Sequence, residues 1–238
     1  MEGGPRDENA RWGMGDAVLG TIGSLVVANV VAIVAFSVSH TPADQTDAIP
    51  LWAVALLELP LWAVLIGVAW RTTTRKGAGS LVDDFGLRFA WRDVPIGLAV
   101  GFAAQLAIGF VLLPIYELFG VDTHDVGKVA RDLTDRARNP VGVIALTIVV
   151  VGVAPVVEEL FYRGVWLRAA ERRWGTVTGI VVSATVFGVM HLQPIDTPAL
   201  IGFGLVAGWL ATRYRRLGPS IWAHVAFNLT AVVALLHK

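Results

Sequence analysis

Residues 153–167 read Val153-Ala154-Pro155-Val156-Val157-Glu158-Glu159-Leu160-Phe161-Tyr162-Arg163-Gly164-Val165-Trp166-Leu167. Two adjacent carboxylates and one guanidinium stand in a run otherwise built from aliphatic and aromatic side chains. A single charge at the bilayer centre costs about 2.5–3.5 kcal/mol on insertion scales, so three left unpaired would cost on the order of 8–10 kcal/mol. Intramembrane charges persist where they pair with one another or face a wet cavity, and they mark a functional site by default. Glu159 and Arg163 are four apart with the acid on the N-terminal side, the favourable order for a helical ion pair. Glu158 lies about 100° around the same helix and lacks that partner. Pro155 removes a backbone donor and bends the helix, which suggests a cavity holding water beside the acids. A juxtamembrane helix whose acids meet solvent is the plainer alternative.

The chain around this stretch is written for lipid. Of its 238 residues 55% are hydrophobic and 16% charged, against about 25% charged in an average soluble domain. Mean hydropathy is +0.64. These values define an integral membrane protein. The net charge of zero gives no sign of a nucleic-acid partner. The absence of cysteine excludes disulfides, thiolate nucleophiles and Cys-based metal sites. A span needs about 20 apolar residues. Seven candidates emerge, at about 17–38, 51–70, 94–117, 141–167, 176–191, 198–212 and 219–236, the fifth and sixth being short. The expected fold is all-α, a polytopic transmembrane helical bundle of about seven spans. Residues 1–16 form a polar N-terminal tail and 17–238 a single membrane domain, because the loops are too short to fold alone. The first apolar run exceeds the h-region of a signal peptide and reads as an uncleaved first span.

Alternating the loops places 14 of the 19 Lys and Arg residues on the side of the N-terminus. The positive-inside rule then predicts a multi-pass protein of the cytoplasmic (inner) membrane, N-terminus cytoplasmic and C-terminus outside. The third loop dissents, with Lys128, Arg131, Arg136 and Arg138 interleaved among Asp122, Asp125, Asp132 and Asp135. Val126, Val129, Ala130, Leu133 and Ala137 recur there at helical spacing, which predicts a surface helix lying on the membrane. Gly97 with Gly101 and Gly204 with Gly208, each four apart, predict close helix contacts. Trp52, Trp62, Trp70 and Trp91 near span ends read as interfacial anchors. Phe85, Leu87, Phe89 and Trp91 alternate with polar residues and read as anchoring of the second loop, or as a substrate-side element. Glu58, beside Pro60 in the outer half of the second span, reads as meeting a partner helix or solvent. No internal repeat is visible, so an inverted-repeat transporter gains no support.

Two further pairs carry chemistry. Phe187 and His191 are four apart at the end of the fifth span, and His224 and Asn228 are four apart in the seventh, so each pair shares a helix face. At 1.5 Å per residue Glu158, His191, His224 and Asn228 can line one cavity opening toward the cytoplasm, His191 only if it bends inward. A carboxylate beside a His can take a proton from water as a general base. A second His and an Asn can donate hydrogen bonds to the oxyanion formed when water attacks an amide carbonyl. Exclusion of bulk water strengthens such interactions. The pattern therefore predicts peptide-bond hydrolysis inside the bilayer.

At these residues the chain resembles a known family. Glu158-Glu159-x-x-x-Arg163, Phe187-x-x-x-His191 and His224-x-x-x-Asn228 are similar, in order and spacing, to the three-motif signature of the CAAX protease and bacteriocin-processing (CPBP, Abi) membrane proteases, with a core at about 80–236. The resemblance implies a polytopic helical endopeptidase. Under it Glu158 and His191 activate water, His224 and Asn228 form the oxyanion site, and Glu159 with Arg163 holds the arrangement. The family is labelled metalloprotease, yet no His-Glu-x-x-His helix is present. Zinc is possible on Glu158, His191 and His224 with water as the fourth ligand; a metal-free site without cofactor is the expectation. The implied partners are a membrane-associated protein or peptide substrate and the lipid bilayer. Eukaryotic relatives trim prenylated CAAX proteins, whereas bacterial ones are linked to bacteriocin immunity, peptide maturation or surface-protein display. The Ala/Val/Gly-rich composition points to a GC-rich bacterium, where prenylated substrates are not expected. The rival readings are a catalytically silent membrane scaffold or immunity protein, and a transporter or proton relay using the same acids.

Overall fold

The computed structural model describes residues 11–39, 50–137 and 139–237. Residues 1–10 of the polar tail, 40–49 of the first loop, Arg138 and Lys238 lie outside the described residues. Among the described residues all regular structure is helical: α1 (Met14–Ser39), α2 (Leu51–Lys76), α3 (Leu81–Phe85), α4 (Asp93–Leu118), α5 (Lys128–Arg136), α6 (Pro140–Trp174), α7 (Thr176–Met190), α8 (Thr197–Tyr214) and α9 (Gly218–Leu236). The chain is thus an all-α polytopic bundle. Each of the seven expected spans has a helix. By length and apolarity five of them, α1, α2, α4, α6 and α9, can cross a bilayer. The other two are the 15-residue α7 and the 18-residue α8.

Glycine sets the tightest contacts. A Cβ added at Gly101 would run into the Ala223 carbonyl, and one at Gly97 into the Trp222 side chain and the Pro219 carbonyl. These two positions let α4 lie against α9 at backbone distance, the use small residues have inside a bilayer. A Cβ at Gly204 would stand 2.9 Å from Ala184, so α8 approaches α7 in the same way. The surface helix predicted in the third loop is α5, packed on α9 and the start of α6. Leu19, Ile33, Phe110 and Leu118 stay exposed on the outside of the bundle, as a lipid-facing surface requires.

Polar clips tie the helix ends into two opposite rims. On one rim Arg11 N–H donates to the Lys76 carbonyl, Leu217 N–H donates to the Gly86 carbonyl, and Arg216 pairs with Asp93 at 2.6 Å. On the other the Tyr116 hydroxyl donates to the Ile195 carbonyl, and Gly127 N–H donates to Asp196. The alternation of loops read from the sequence matches this division.

Helix α6 runs through the middle and touches α1, α2, α3, α7, α8 and α9. It is not uniformly α-helical. Thr147–Val153 and Leu160–Trp166 are wound as π-helix, with α-helical Ala154–Glu159 between them. Three expectations are corrected here. Trp62 is buried in the core rather than anchored at the interface, and Phe85 is fully buried with an edge contact to Trp12 at 5.1 Å. Arg163, one of the 14 basic residues counted above on the side of the N-terminus, is fully buried beside Glu159 and belongs to no loop. In each case packing between neighbouring helices overrides position along the span.

Candidate active site

The two π segments explain how an acid pair is presented from a continuous helix. Ala154 N–H reaches back five residues to the Val149 carbonyl. In that wider register the next donor would be residue 155 and its acceptor Val150, but proline has no N–H. The Val150 carbonyl is instead taken by Asn228 Nδ2 of α9, which donates at 2.8 Å. Pro155 thus creates a vacancy in α6 that a side chain from α9 fills, and no sharp break follows. Farther along, the Ser183 hydroxyl of α7 donates to the Tyr162 carbonyl at 2.8 Å inside the second π segment. Single π turns inside α-helices occur frequently at functional sites.

Between these turns stand Glu158 and Glu159. Glu159 is wholly enclosed. Its Oε1 meets Arg163 at 2.9 Å and His224 Nδ1 at 3.0 Å. The guanidinium of Arg163, equally enclosed, lies over the Phe187 ring at 4.4 Å. The expected i,i+4 pair is therefore present, and it has a third member in His224. Removing either Glu159 or Arg163 would leave the other as an uncompensated charge in a dry core.

Glu158 faces the other way, into a partly open space, with 17% of its side chain exposed. Its Oε2 has His191 Nε2 at 3.9 Å and His224 Nε2 at 3.8 Å. The two rings are oriented alike. His191 Nδ1 sits 2.7 Å from the Phe187 carbonyl, an acceptor only, so Nδ1 carries the proton and donates. His224 Nδ1 faces the Glu159 carboxylate and donates to it. Both Nε2 atoms are left turned toward Glu158. His191 reaches this position because α7 ends one residue before it. The chain then turns at Leu192, which has φ 55°, a left-handed conformation uncommon for a residue with a side chain. Phe187 and Phe203 wall the rings, at 5.6 and 4.7 Å from His224.

Glu158, Glu159, Arg163, His191 and His224 thus come together from α6, α7 and α9. Asn228 lies on the His224 face of α9, but one of its N–H groups is committed to Val150. Two features carried no sequence signal that singled them out: Phe203, and the proximity of Glu58, which interacts electrostatically with both His191 and Glu158.

Separations of 3.8–3.9 Å suit a shared water. A water bonded at about 2.8 Å to two groups near a right angle holds them about 4 Å apart. Zinc fits less well. With bonds of about 2.1 Å and tetrahedral angles, its donors would lie about 3.4 Å apart. Among the described residues no three His, Cys, Asp or Glu side chains are grouped so as to hold a metal. An apolar cavity of about 390 Å³ lies along the α6–α9 seam, lined by Val151, Val156, Ile221, Val225 and the exposed Phe89 among others.

Residues 140–230 match the family described as type II CAAX prenyl endopeptidase Rce1-like. That segment holds every residue of the three motifs. The chain is also 24% identical over 199 residues to a Bacillus subtilis protein titled "Putative membrane peptidase YdiL", covering 82% of this chain and 76% of that one. No solved structure matches.

Proposed function

We propose that this chain, whose three motifs resemble the CPBP signature and whose residues 140–230 match the Rce1-like family, hydrolyses peptide bonds of membrane-associated proteins or peptides within the bilayer. Membrane-protease character at the family level is the premise; the reaction steps below are our reading of the geometry. One observation carries it: a partly open carboxylate, Glu158, faces two imidazole Nε2 atoms delivered by two other helices at 3.9 and 3.8 Å.

A water between these groups is polarised from both sides. Glu158 takes a proton from it, and the water oxygen attacks the scissile carbonyl carbon. His191 Nε2 accepts the second hydrogen bond and fixes the direction of the attacking lone pair. The negative charge that grows on the carbonyl oxygen is met by His224, when its Nε2 bears a proton, and by the second N–H of Asn228. As the C–N bond breaks, the proton on Glu158 passes to the leaving amine. Glu159 and Arg163 take no part in bond making; they hold His224 by its Nδ1. No step requires a metal. The apolar cavity beside α9 suits an aliphatic stretch of a substrate.

The test uses purified protein in liposomes with single-span peptides. Cleavage should fall about 10²–10⁴-fold in Glu158→Gln and comparably in His191→Ala, the usual loss on removing a general base or its partner. Chelators should leave it intact, and elemental analysis should find no stoichiometric zinc. Peptide binding without cleavage would favour a scaffold, and proton flux without cleavage a relay.

A further inference from the structure

Helix α2 buries Trp62, Leu65, Ala69 and Thr72, a stripe at spacings of three and four that faces the bundle. Glu58 is four residues before Trp62 and seven before Leu65, so it continues the stripe by one turn. It should therefore face protein, yet it is exposed. The opposite face of α2, with Trp52, Leu56, Leu59, Ile66 and Trp70, is the one turned outward. Both facts hold together if the bundle is open at this level. The His191 side chain is 25% exposed and that of Glu158 17%. Glu58 is near enough to interact electrostatically with both, and α2 packs on α6 over Ala154–Trp166.

The charges around this opening do not balance. Arg163 is committed to Glu159 and sealed from it. The two histidines donate through Nδ1 to other acceptors. Among the described residues Glu58 has no hydrogen-bond or ion-pair partner. A second carboxylate beside the general base does not help the base, because like charges disfavour each other's ionised form. It does complement a cation entering from outside and repels an entering carboxylate.

We propose that Glu58 reads substrate charge at the mouth of the site, selecting membrane segments with a cationic side chain close to the scissile bond and disfavouring those with a carboxylate there. This rests on the peptidase reading above and deepens it to a substrate class. Specificity of this kind combines attraction to one charge with repulsion of the other.

Binding tests it without requiring turnover. Single-span peptides identical except for one central residue, Lys, Gln or Glu, are titrated in nanodiscs onto protein carrying Glu158→Gln. The Lys peptide should bind at least about tenfold more tightly than the Glu peptide. Adding Glu58→Gln should level the three affinities, and Glu58→Lys should invert their order. A preference untouched by both substitutions overturns the assignment. So does an equal loss of affinity for all three peptides, which would mark Glu58 as structural, and so does failure of every peptide to bind. Cleavage of the same peptides with Glu158 intact is read in parallel. Cleavage blind to charge overturns only the role of Glu58. Charge-selective binding with no cleavage overturns only the peptidase.

Discussion

Two neighbouring glutamates have opposite duties. Glu159 is enclosed, paired with Arg163 and bonded to His224; Glu158 is partly open and faces two free ring nitrogens. The difference predicts different consequences of substitution. Arg163→Ala strips the counter-charge from a fully buried carboxylate and should cost about 3–5 kcal/mol of stability. Glu158→Gln breaks no buried pair and should unfold within a few degrees of the parent while losing activity. Thermal unfolding in one detergent compares the two; equal destabilisation would mean that Glu158 is also a structural ion. The sequence made this division legible, because spacing alone gives Glu159 a partner and denies one to Glu158. It did not disclose that His224 joins the Glu159 side through Nδ1 and the Glu158 side through Nε2. Ring orientation depends on contacts between α6 and α9 that no local pattern encodes. Glu58 was visible as a charge in an apolar span, but its nearness to His191 depends on how α2 leans on α6.

At the scale of one element, α6 shows how a helix can distort without breaking. Pro155 deprives Val150 of a donor and Asn228 supplies one. The exchange fixes the rotation of α9 relative to α6 and, through it, the position of His224 one turn earlier. Pro155→Ala returns the missing N–H, so the first turn can rewind as ordinary α-helix. Stability should be unchanged or higher, since proline in a helix interior costs about 3 kcal/mol. Activity should fall at least about tenfold, because Glu158 would rotate away from the ring nitrogens and misplacement by about 1 Å can cost about a hundredfold. Thermal unfolding and peptide cleavage on the same preparation decide it; unchanged cleavage would make the π turn incidental. The proline announced a disturbance in the sequence, and the expectation was a kink. The π register was not legible, because it depends on Asn228 and Ser183 arriving from other helices to take the displaced carbonyls.

At the scale of the molecule, seven apolar stretches read from hydropathy became seven helices, because apolar length in a bilayer leaves the backbone little choice. Their ends form two rims, and charge distinguishes them. Arg71, Arg75, Lys76, Arg88, Arg92, Arg172, Arg173, Arg213, Arg215 and Arg216 belong to one rim, together with Arg11. The other bears the mixed-charge α5, whose basic residues alternate with acids. Positive-inside bias counts Lys and Arg in short loops and gives acids little weight, so α5 pulls against the remainder but is outnumbered. The rim with Arg11 should therefore face the cytoplasm. The chain has no cysteine, so each introduced thiol reports a single position. Ala78 and Thr123 are both exposed, one on each rim. In intact cells a membrane-impermeant maleimide should label Thr123→Cys and spare Ala78→Cys, and after permeabilisation it should label both. The reverse pattern would put the basic rim outside and make α5 the dominant topogenic signal. It would also turn the approach to Glu158 over, so that substrates would have to be sought among proteins presented from the opposite face of the membrane.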